Sequence, residues 1–360
     1  MAKGLDVGTM DILSAVMEGD RITYATQRDV FMEMPKNEFL SGKLRQMNTL
    51  HMSRGNMIYI LGDDALELAP IFHRSAKRPM RNGILSPAEK EAIPMIQLII
   101  QRVLGKPFEE NEKVFYSVPS DPIDSNYSTL YHQKVIGSLL RREGYDPVPI
   151  NEGMAVVFSE LSNNGFTGLS LDFGAGLTHA ALSYYGTPSL VFSMTRGGDW
   201  IDEEVSRSLG VPREVVCIEK EKHFRFEESY ESSTLSAGIS IYYDALMDYV
   251  LDQLEGQLSR RVKVLDMEVP VVIAGGASMP KGFVSRVDEM LKIRDLPIKI
   301  SSVKAAKDPI YSIVRGCLIC AKVQEAGPQE EEKEEKEEKE EKEEKGKEGQ
   351  KGEEKKEKSK

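Results

Sequence analysis

The sequence predicts an α/β protein whose core is an internal duplication, followed by a charged tail. Three observations predict it. A unit made of a strand ending in an acid, a turn containing Gly and Thr, and a returning strand occurs at Asp6 and again at Asp172. Short apolar runs alternate with longer segments of helical period, the pattern of sheets covered by helices. The apolar content then stops near Ala326.

The elements follow in order. Gly4–Val16 reads as a strand, a tight turn and a strand, and Met57–Leu61 and Lys113–Val118 read as short buried strands. Ile93–Leu104 and Ser125–Arg142 read as helices. Val148–Ile150 is a strand running into the helix Met154–Leu161. The second half repeats the opening: strand Gly168–Phe173, turn Gly174–Leu177, strand Thr178–Tyr184. Trp200–Leu209 and Ala237–Leu258 read as helices. Val269–Ala274 is a wholly apolar strand ending in Gly275-Gly276, Gly282–Leu291 is helical, and Pro309–Val323 is the last helix of the core. From Gln329 onward the chain is almost only Glu, Lys, Gly and Gln. With no apolar face, nothing offsets the entropy of folding, so 326–360 is expected to be a disordered or loosely helical tail.

Bulk composition excludes some classes. Of 360 residues 40% are hydrophobic, enough for about two domains. A net charge of −11 argues against a nucleic-acid partner, which calls for a basic face. Three cysteines do not make a disulfide scaffold, and no apolar run approaches a membrane span of about 20 residues. The expectation is a soluble, cytoplasmic protein without a transmembrane segment; peripheral membrane contact stays open.

Four motifs carry chemistry. In Asp6-Val7-Gly8-Thr9, Gly8 lets backbone amides approach a phosphate, Thr9 can donate to a phosphate oxygen, and Asp6 can hold magnesium through its waters. Alone, this motif reads more readily as an ordinary hairpin turn. Asp172-Phe173-Gly174-Ala175-Gly176-Leu177-Thr178-His179 repeats the logic, so that two hairpins could clamp one phosphate chain. Val271–Ser278 is an apolar strand ending in Gly275-Gly276, against which a flat ligand such as adenosine can lie; the alternative is a simple strand-to-helix turn. Asn151-Glu152-Gly153 puts a carboxylate at a helix start between the phosphate loops. Glu152 either polarises the water that attacks a terminal phosphate or serves the helix N-terminus.

These motifs, in this order, resemble the actin, heat-shock chaperone and sugar-kinase ATPase superfamily, nearest to the bacterial MreB-type rod-shape actins. Thr195–Asp202 (TRGGDWID) is similar to that family's GGDxxD segment. Ala306-Lys307-Asp308-Pro309 with Val314-Arg315-Gly316 is similar to its final AxDP…RG, and Arg78–Ile84 to its RPxxxGxI. The resemblance implies a duplicated actin-like ATPase fold, with two ribonuclease-H-like domains around a nucleotide cleft. The boundaries expected are 1–150 and 151–304, with a last helix at about 305–325 returning to the first domain. It implies ATP/ADP and Mg2+ as cofactors. Asp6 and Asp172 order the metal's water shell, and Gly8, Thr9, Gly174, Ala175, Gly176 and Thr178 hold phosphates. Glu152 is the water-activating residue, Gly275, Gly276 and Ser278 touch the nucleoside, and Gly316 lies near the hinge.

The sequence departs from the pattern at Ala175, usually Gly, and at Gly153, usually Pro. His179 stands where rod-shape actins have an acid; as in eukaryotic actin, it either helps order the attacking water or is a structural pair. Asp11 is an extra negative charge expected to point away from the phosphates. Cys317-Leu318-Ile319-Cys320 reads as core packing, Trp200 as core, and Glu219–Lys222 as a solvated charge run as readily as an adenosine contact. The function implied is a slow, regulatory ATPase forming cytoskeletal filaments, hence a homo-oligomer. The alternatives are a non-polymerising nucleotide switch docking a partner through the acidic tail and, less favoured, a small-molecule kinase.

Overall fold

Two five-stranded sheets of identical strand order form the body of the protein. The computed structural model describes residues 2–19, 21–80, 83–85, 87, 91–228, 233–261 and 268–324; the expected tail, 326–360, and Arg81-Asn82 lie outside the described residues. The first sheet contains β1 (Lys3–Val7), β2 (Asp11–Glu18), β3 (Arg21–Arg28), β7 (Glu112–Val118) and β8 (Tyr145–Asn151), in the order β3-β2-β1-β7-β8. The second contains β9 (Gly168–Phe173), β10 (Thr178–Tyr184), β11 (Thr187–Met194), β12 (Glu268–Ala274) and β13 (Lys299–Ala305), in the order β11-β10-β9-β12-β13. In each sheet the first three strands are an antiparallel meander and the last two join in parallel. The duplication read from Asp6 and Asp172 therefore extends through both sheets.

The helices cover the sheets by apolar stripes. On the first sheet, α3 (Ala92–Leu104) and α4 (Leu130–Arg142) bury Ile96, Ile99, Ile100, Ile136 and Leu140 against Leu5, Val114 and Tyr116. On the second, α6 (Gly198–Leu209), α8 (Thr234–Arg261) and α9 (Phe283–Lys292) cover Leu169, Leu171 and Ile273. Strands β9 and β12 are buried on both faces, which is why they read as continuous apolar runs. A small sheet, β4 (Phe31–Pro35), β5 (His51–Arg54) and β6 (Met57–Leu61), is backed by α1 (Glu38–Gln46) and α2 (Asp63–Ile71).

The two halves are joined by exchange. Strand β8 leads into α5 (Glu152–Glu160), which packs on β9 and β10 of the other sheet. After β13, a helix at 312–324, α10, returns beneath β1, where Gly4 lies against the Val314 carbonyl and the Leu318 amide. Helices α5 and α10 cross inside a third core containing Ala155, Val156, Val314, Cys317 and Leu318. Cys317 is thus a packing residue, as the sequence suggested. Arg315 fixes the crossing by donating to Ser159 Oγ (2.7 Å) and pairing with Glu160 and Asp308.

One expected helix is shorter than its pattern. Residues 125–129 are not helical, because Asp121 accepts hydrogen bonds from both the backbone amide and the hydroxyl of Thr129 (2.7 and 2.8 Å). The segment before it docks on the second sheet instead: Ile123 N–H donates to Ser193 O, and the Thr195 amide to the Asp124 carboxylate.

Two predictions follow from this packing. A Cβ on Gly316 would overlap the Ala155 carbonyl, whereas one on Gly256, inside α8, meets nothing within 4 Å. Gly316→Ala should therefore cost about 3 kcal/mol in urea unfolding, and Gly256→Ala should gain about 1 kcal/mol. Second, burial lowers the His132 pKa from 6.5 to about 4, with Glu152 partly opposing, while its Nδ1 accepts from the Leu85 amide. A depressed pKa contributes stability that is present above pH 6.5 and lost as pH falls through about 4. His132→Asn, which keeps an acceptor, should remove about 3 kcal/mol of the acid-dependent loss across that window, measured by denaturant melts.

Candidate functional site

The duplicated turns end β1 and β9 in the same way. Gly8 N–H donates to Asp11 O, and Gly174 N–H to Leu177 O, both at 3.0 Å. The two turns touch. A Cβ added to Gly176 would come within 2.5 Å of Thr9 Oγ1 and 2.8 Å of the Gly83 amide nitrogen, so only glycine permits this approach. Between them opens a cleft of 520 Å³, a size suited to a small-molecule ligand.

Of the residues singled out from sequence, Asp6, Gly8, Thr9, Glu152, Asp172, Gly174, Ala175, Gly176, His179, Gly275 and Gly276 line this cleft. Three do not. The hydroxyl of Thr178 is fully buried and donates to the Arg196 carbonyl at 2.7 Å, so it pins the hairpin rather than facing the cleft. Ser278 Oγ donates to the Gly275 carbonyl at 2.7 Å, closing the 3-10 turn Gly276–Ser278. Gly316 sits at the α5–α10 crossing.

The floor of the cleft concentrates charge. Asp6 and Asp172 occupy the same penultimate position of β1 and β9, and His179 stands opposite Asp172 in the β9–β10 ladder. His179 Nε2 lies 2.7 Å from Glu152 Oε2. Glu152 opens α5, but capping falls to Asn151, whose side chain accepts from the Met154 amide at 3.2 Å and donates to Ser120 Oγ at 2.7 Å. That frees the Glu152 carboxylate to face His179. Asp6 Oδ1 accepts from Ser117 Oγ at 2.6 Å.

Burial pushes the Asp6 carboxyl well above its usual range, and the charges of Glu152 and Asp172 add to it. Burial also raises Asp172 to about 7, with Glu152 adding and His179 opposing. Burial disfavours charging of His179, but the charge and hydrogen bond of Glu152, with Asp172 and Asp6, outweigh it and raise its pKa. Three buried carboxylates facing one imidazole form a site with surplus negative charge. A divalent cation fits that surplus. Among the described residues no three His, Cys, Asp or Glu side chains are close enough to ligate a metal together. A cation here would take most of its ligands from water, with the carboxylates of Asp6 and Asp172 placed to accept from that shell.

The other end of the cleft is richer in apolar groups but is rimmed by charge, Arg225 and Lys281 included. Gly275-Gly276-Ala277, Phe224, Tyr243, Met279, Pro280 and Ile310 line it, together with Lys220, Glu221 and Lys222. The close approach of Gly275 to the Phe173 carbonyl, at φ +87, requires glycine. The run Glu219–Lys222 falls at the end of α7 (Arg213–Lys222); Glu221 and Lys222 are exposed, as a solvated charge run would be, but Lys220 is buried. Lys220 is 7% exposed, donates to Gly198 O and pairs with Asp202 Oδ1, both at 2.6 Å. Its spacing from Val216, one turn back on the buried face, was the available signal.

Asp11, expected to point away, also lines the cleft. The guanidinium of Arg28 lies 3.3 Å from it and offsets its charge, and reaches Glu221 of the other half at 3.8 Å. Arg78 pairs across the halves with Asp199, which also holds Arg213 at 3.0 Å. The backbone of the GGD segment supports the second turn: Gly198 N–H donates to Gly174 O and Asp199 N–H to Ala175 O. Trp200 is partly buried beside it, with Arg196 over its ring.

Comparison with known proteins agrees with this architecture. No curated protein sequence matches the chain. Among solved structures, it is similar to MamK in a double helical filament, with TM-score 0.64 and 17% identity, covering 89% of this chain and 98% of that one. A non-polymerising MamK mutant bound to AMPPNP superposes with TM-score 0.52 and 19% identity, over 89% and 98% of the two chains. The ethanolamine utilization protein EutJ from Carboxydothermus hydrogenoformans gives 0.53 and 15%, over 88% and 89%. The fold is thus actin-like. The Volactin family model matches residues 1–321, and the chain belongs to the Volactin family.

Proposed function

We propose that this protein binds a magnesium nucleoside triphosphate in the cleft, hydrolyses it slowly, and assembles into filaments governed by the bound nucleotide. The reading rests above all on the contact between Thr9 and Gly176, which brings two turns with approachable backbone to one small space. The chemistry follows from the residues around it. Backbone amides and the Thr9 hydroxyl cradle the phosphates. Glu152, oriented by His179, accepts the proton of the attacking water, and the carboxyls that raise the His179 pKa favour the charged ring beside the developing phosphate charge. A magnesium ion held through water by Asp6 and Asp172 would neutralise the charge of the bound phosphates. ATP is the favoured nucleotide, since a MamK structure of the same fold holds AMPPNP. Filament formation is favoured by the other MamK structure, a double helical filament.

The two halves touch on either side of the cleft through Arg28–Glu221 and Arg78–Asp199. Nucleotide that bridges the turns should stabilise this closed arrangement, which gives bound nucleotide a route to assembly.

Electron microscopy of the purified protein with ATP and magnesium tests assembly directly. Glu152→Ala should keep ATP binding and filaments but slow phosphate release about 100-fold; filaments absent from both proteins, or unchanged phosphate release in the variant, would count against the reading. Asp172→Asn relieves the crowding of carboxylates, so it should raise the melting temperature of the nucleotide-free protein. It should also abolish the extra melting shift that magnesium adds to nucleotide; a full magnesium effect in that variant would remove Asp172 from this role.

A further inference from the structure

The apolar end of the cleft contains a buried hydroxyl with nothing to bond. Tyr243 of α8 is fully buried and lines the cleft, and its Oη has no hydrogen-bond partner among the described residues. Its ring is locked in place. It stacks on Phe224 at 5.4 Å and 16°, and meets Phe283 edge-on at 5.8 Å and 79°. A buried hydroxyl left unpaired costs roughly 1–3 kcal/mol. A rigid aromatic cage that tolerates such a group points to a partner supplied by a ligand.

The surroundings indicate which side of the hydroxyl is free. The acidic groups acting on it are Asp202, Glu221 and the Cys217 thiol, and together with burial they hold the phenol firmly protonated. Asp202 is paired with Lys220 through Oδ1 only, and its Oδ2 has no hydrogen bond. An O–H dipole turned toward that negative field would point its hydrogen at the carboxylates and leave its lone pairs for a ligand. A lone pair accepts an N–H. The neighbouring lining, Phe224, Ala277, Met279 and Pro280, suits the faces of a flat base, whereas the glycines and carboxylates at the opposite end suit phosphate.

We infer that Tyr243 is a specificity-determining residue, whose hydroxyl accepts a hydrogen bond from the exocyclic amine of a purine nucleotide. This rests on the cleft being the nucleotide site. Adenine and guanine both carry such an amine, and the experiment separates them. Binding of ATP, GTP, purine riboside triphosphate (which lacks the amine) and inorganic tripolyphosphate is measured by calorimetry on wild type and Tyr243→Phe, with magnesium. Wild type should bind ATP or GTP about tenfold more tightly than purine riboside triphosphate. Tyr243→Phe should erase that difference and leave tripolyphosphate affinity unchanged. The nucleotide-free variant should also melt at a higher temperature than wild type, because an unpaired buried hydroxyl has gone. A hydroxyl with a merely structural role would move that melt the other way.

A variant that keeps the amine preference overturns the inference, as does wild type with no preference, or a lower nucleotide-free melt in the variant. Tripolyphosphate binding without any base effect sinks only this inference; failure of every phosphate compound to bind wild type sinks the nucleotide reading with it.

Discussion

The contact between Thr9 and Gly176 is the constraint on which the rest of the molecule depends. Two turns from separate sheets approach so closely that one methyl group on Gly176 would force them apart. The approach is held from below by α5 and α10, each leaving one sheet to pack beneath the other and crossing at Gly316 and Ala155. It is held from the sides by Asp124 on Thr195 and by the Arg78–Asp199 pair. A relative rotation of the halves therefore opens or closes the gap between the turns. Packed cores of this kind switch between discrete arrangements rather than bending continuously, so occupancy of a small cleft can be felt over the whole molecule.

The duplication supplies the scaffold, and departures from it supply the chemistry. Asp6 and Asp172 are equivalent, as are Gly8 and Gly174. The residue opposite Asp6 across the ladder is Leu13, whereas the one opposite Asp172 is His179. The first crossing helix opens with Glu152 directed at that histidine. After β13, Asp308 instead pairs with Arg315 at the helix crossing. One half thus contributes an apolar wall and a structural ion pair where the other contributes an acid and an imidazole. The asymmetry concentrates acid groups on one side of the turns.

Much of this was legible in sequence because it is local. A strand ending in acid, glycine and threonine needs no distant partner to be recognised, and the apolar runs at β9 and β12 announce their own burial. Thr178 was misread for an instructive reason. Counting from the acid, Thr9 is the third residue after Asp6, and the third after Asp172 is Ala175. Thr178 sits one strand position on, opposite Phe173, just as Ile12 sits opposite Val7. Similarity of composition disguised a shift of register, and one such shift changes which face a side chain meets. Lys220, Arg28 and Asp11 were hidden for the opposite reason. Their partners, Asp202, Glu221 and Arg28, lie on other elements, and whether a charged run is solvated depends on what folds over it.

The cleft is costly in its own terms. Its floor gathers carboxylates whose pKa values burial and mutual repulsion have raised, and its far end buries a tyrosine hydroxyl without a hydrogen-bond partner among the described residues. Each of these opposes folding of the empty protein, because the charged or polar group gives up water for little in return. The cores beneath both sheets and at the helix crossing supply the compensating burial. The two kinds of deficit lie at opposite ends of one cavity and differ in sign of need. The floor holds more acids than bases, and the far end holds a hydroxyl with no hydrogen-bond partner among the described residues. A single ligand with a cation at its anionic end and an amine on its flat end would correct both at once. Its binding energy would then stabilise the closed arrangement in proportion to what the empty cleft gave up, and a site poorly satisfied in isolation would serve as a sensor of its ligand.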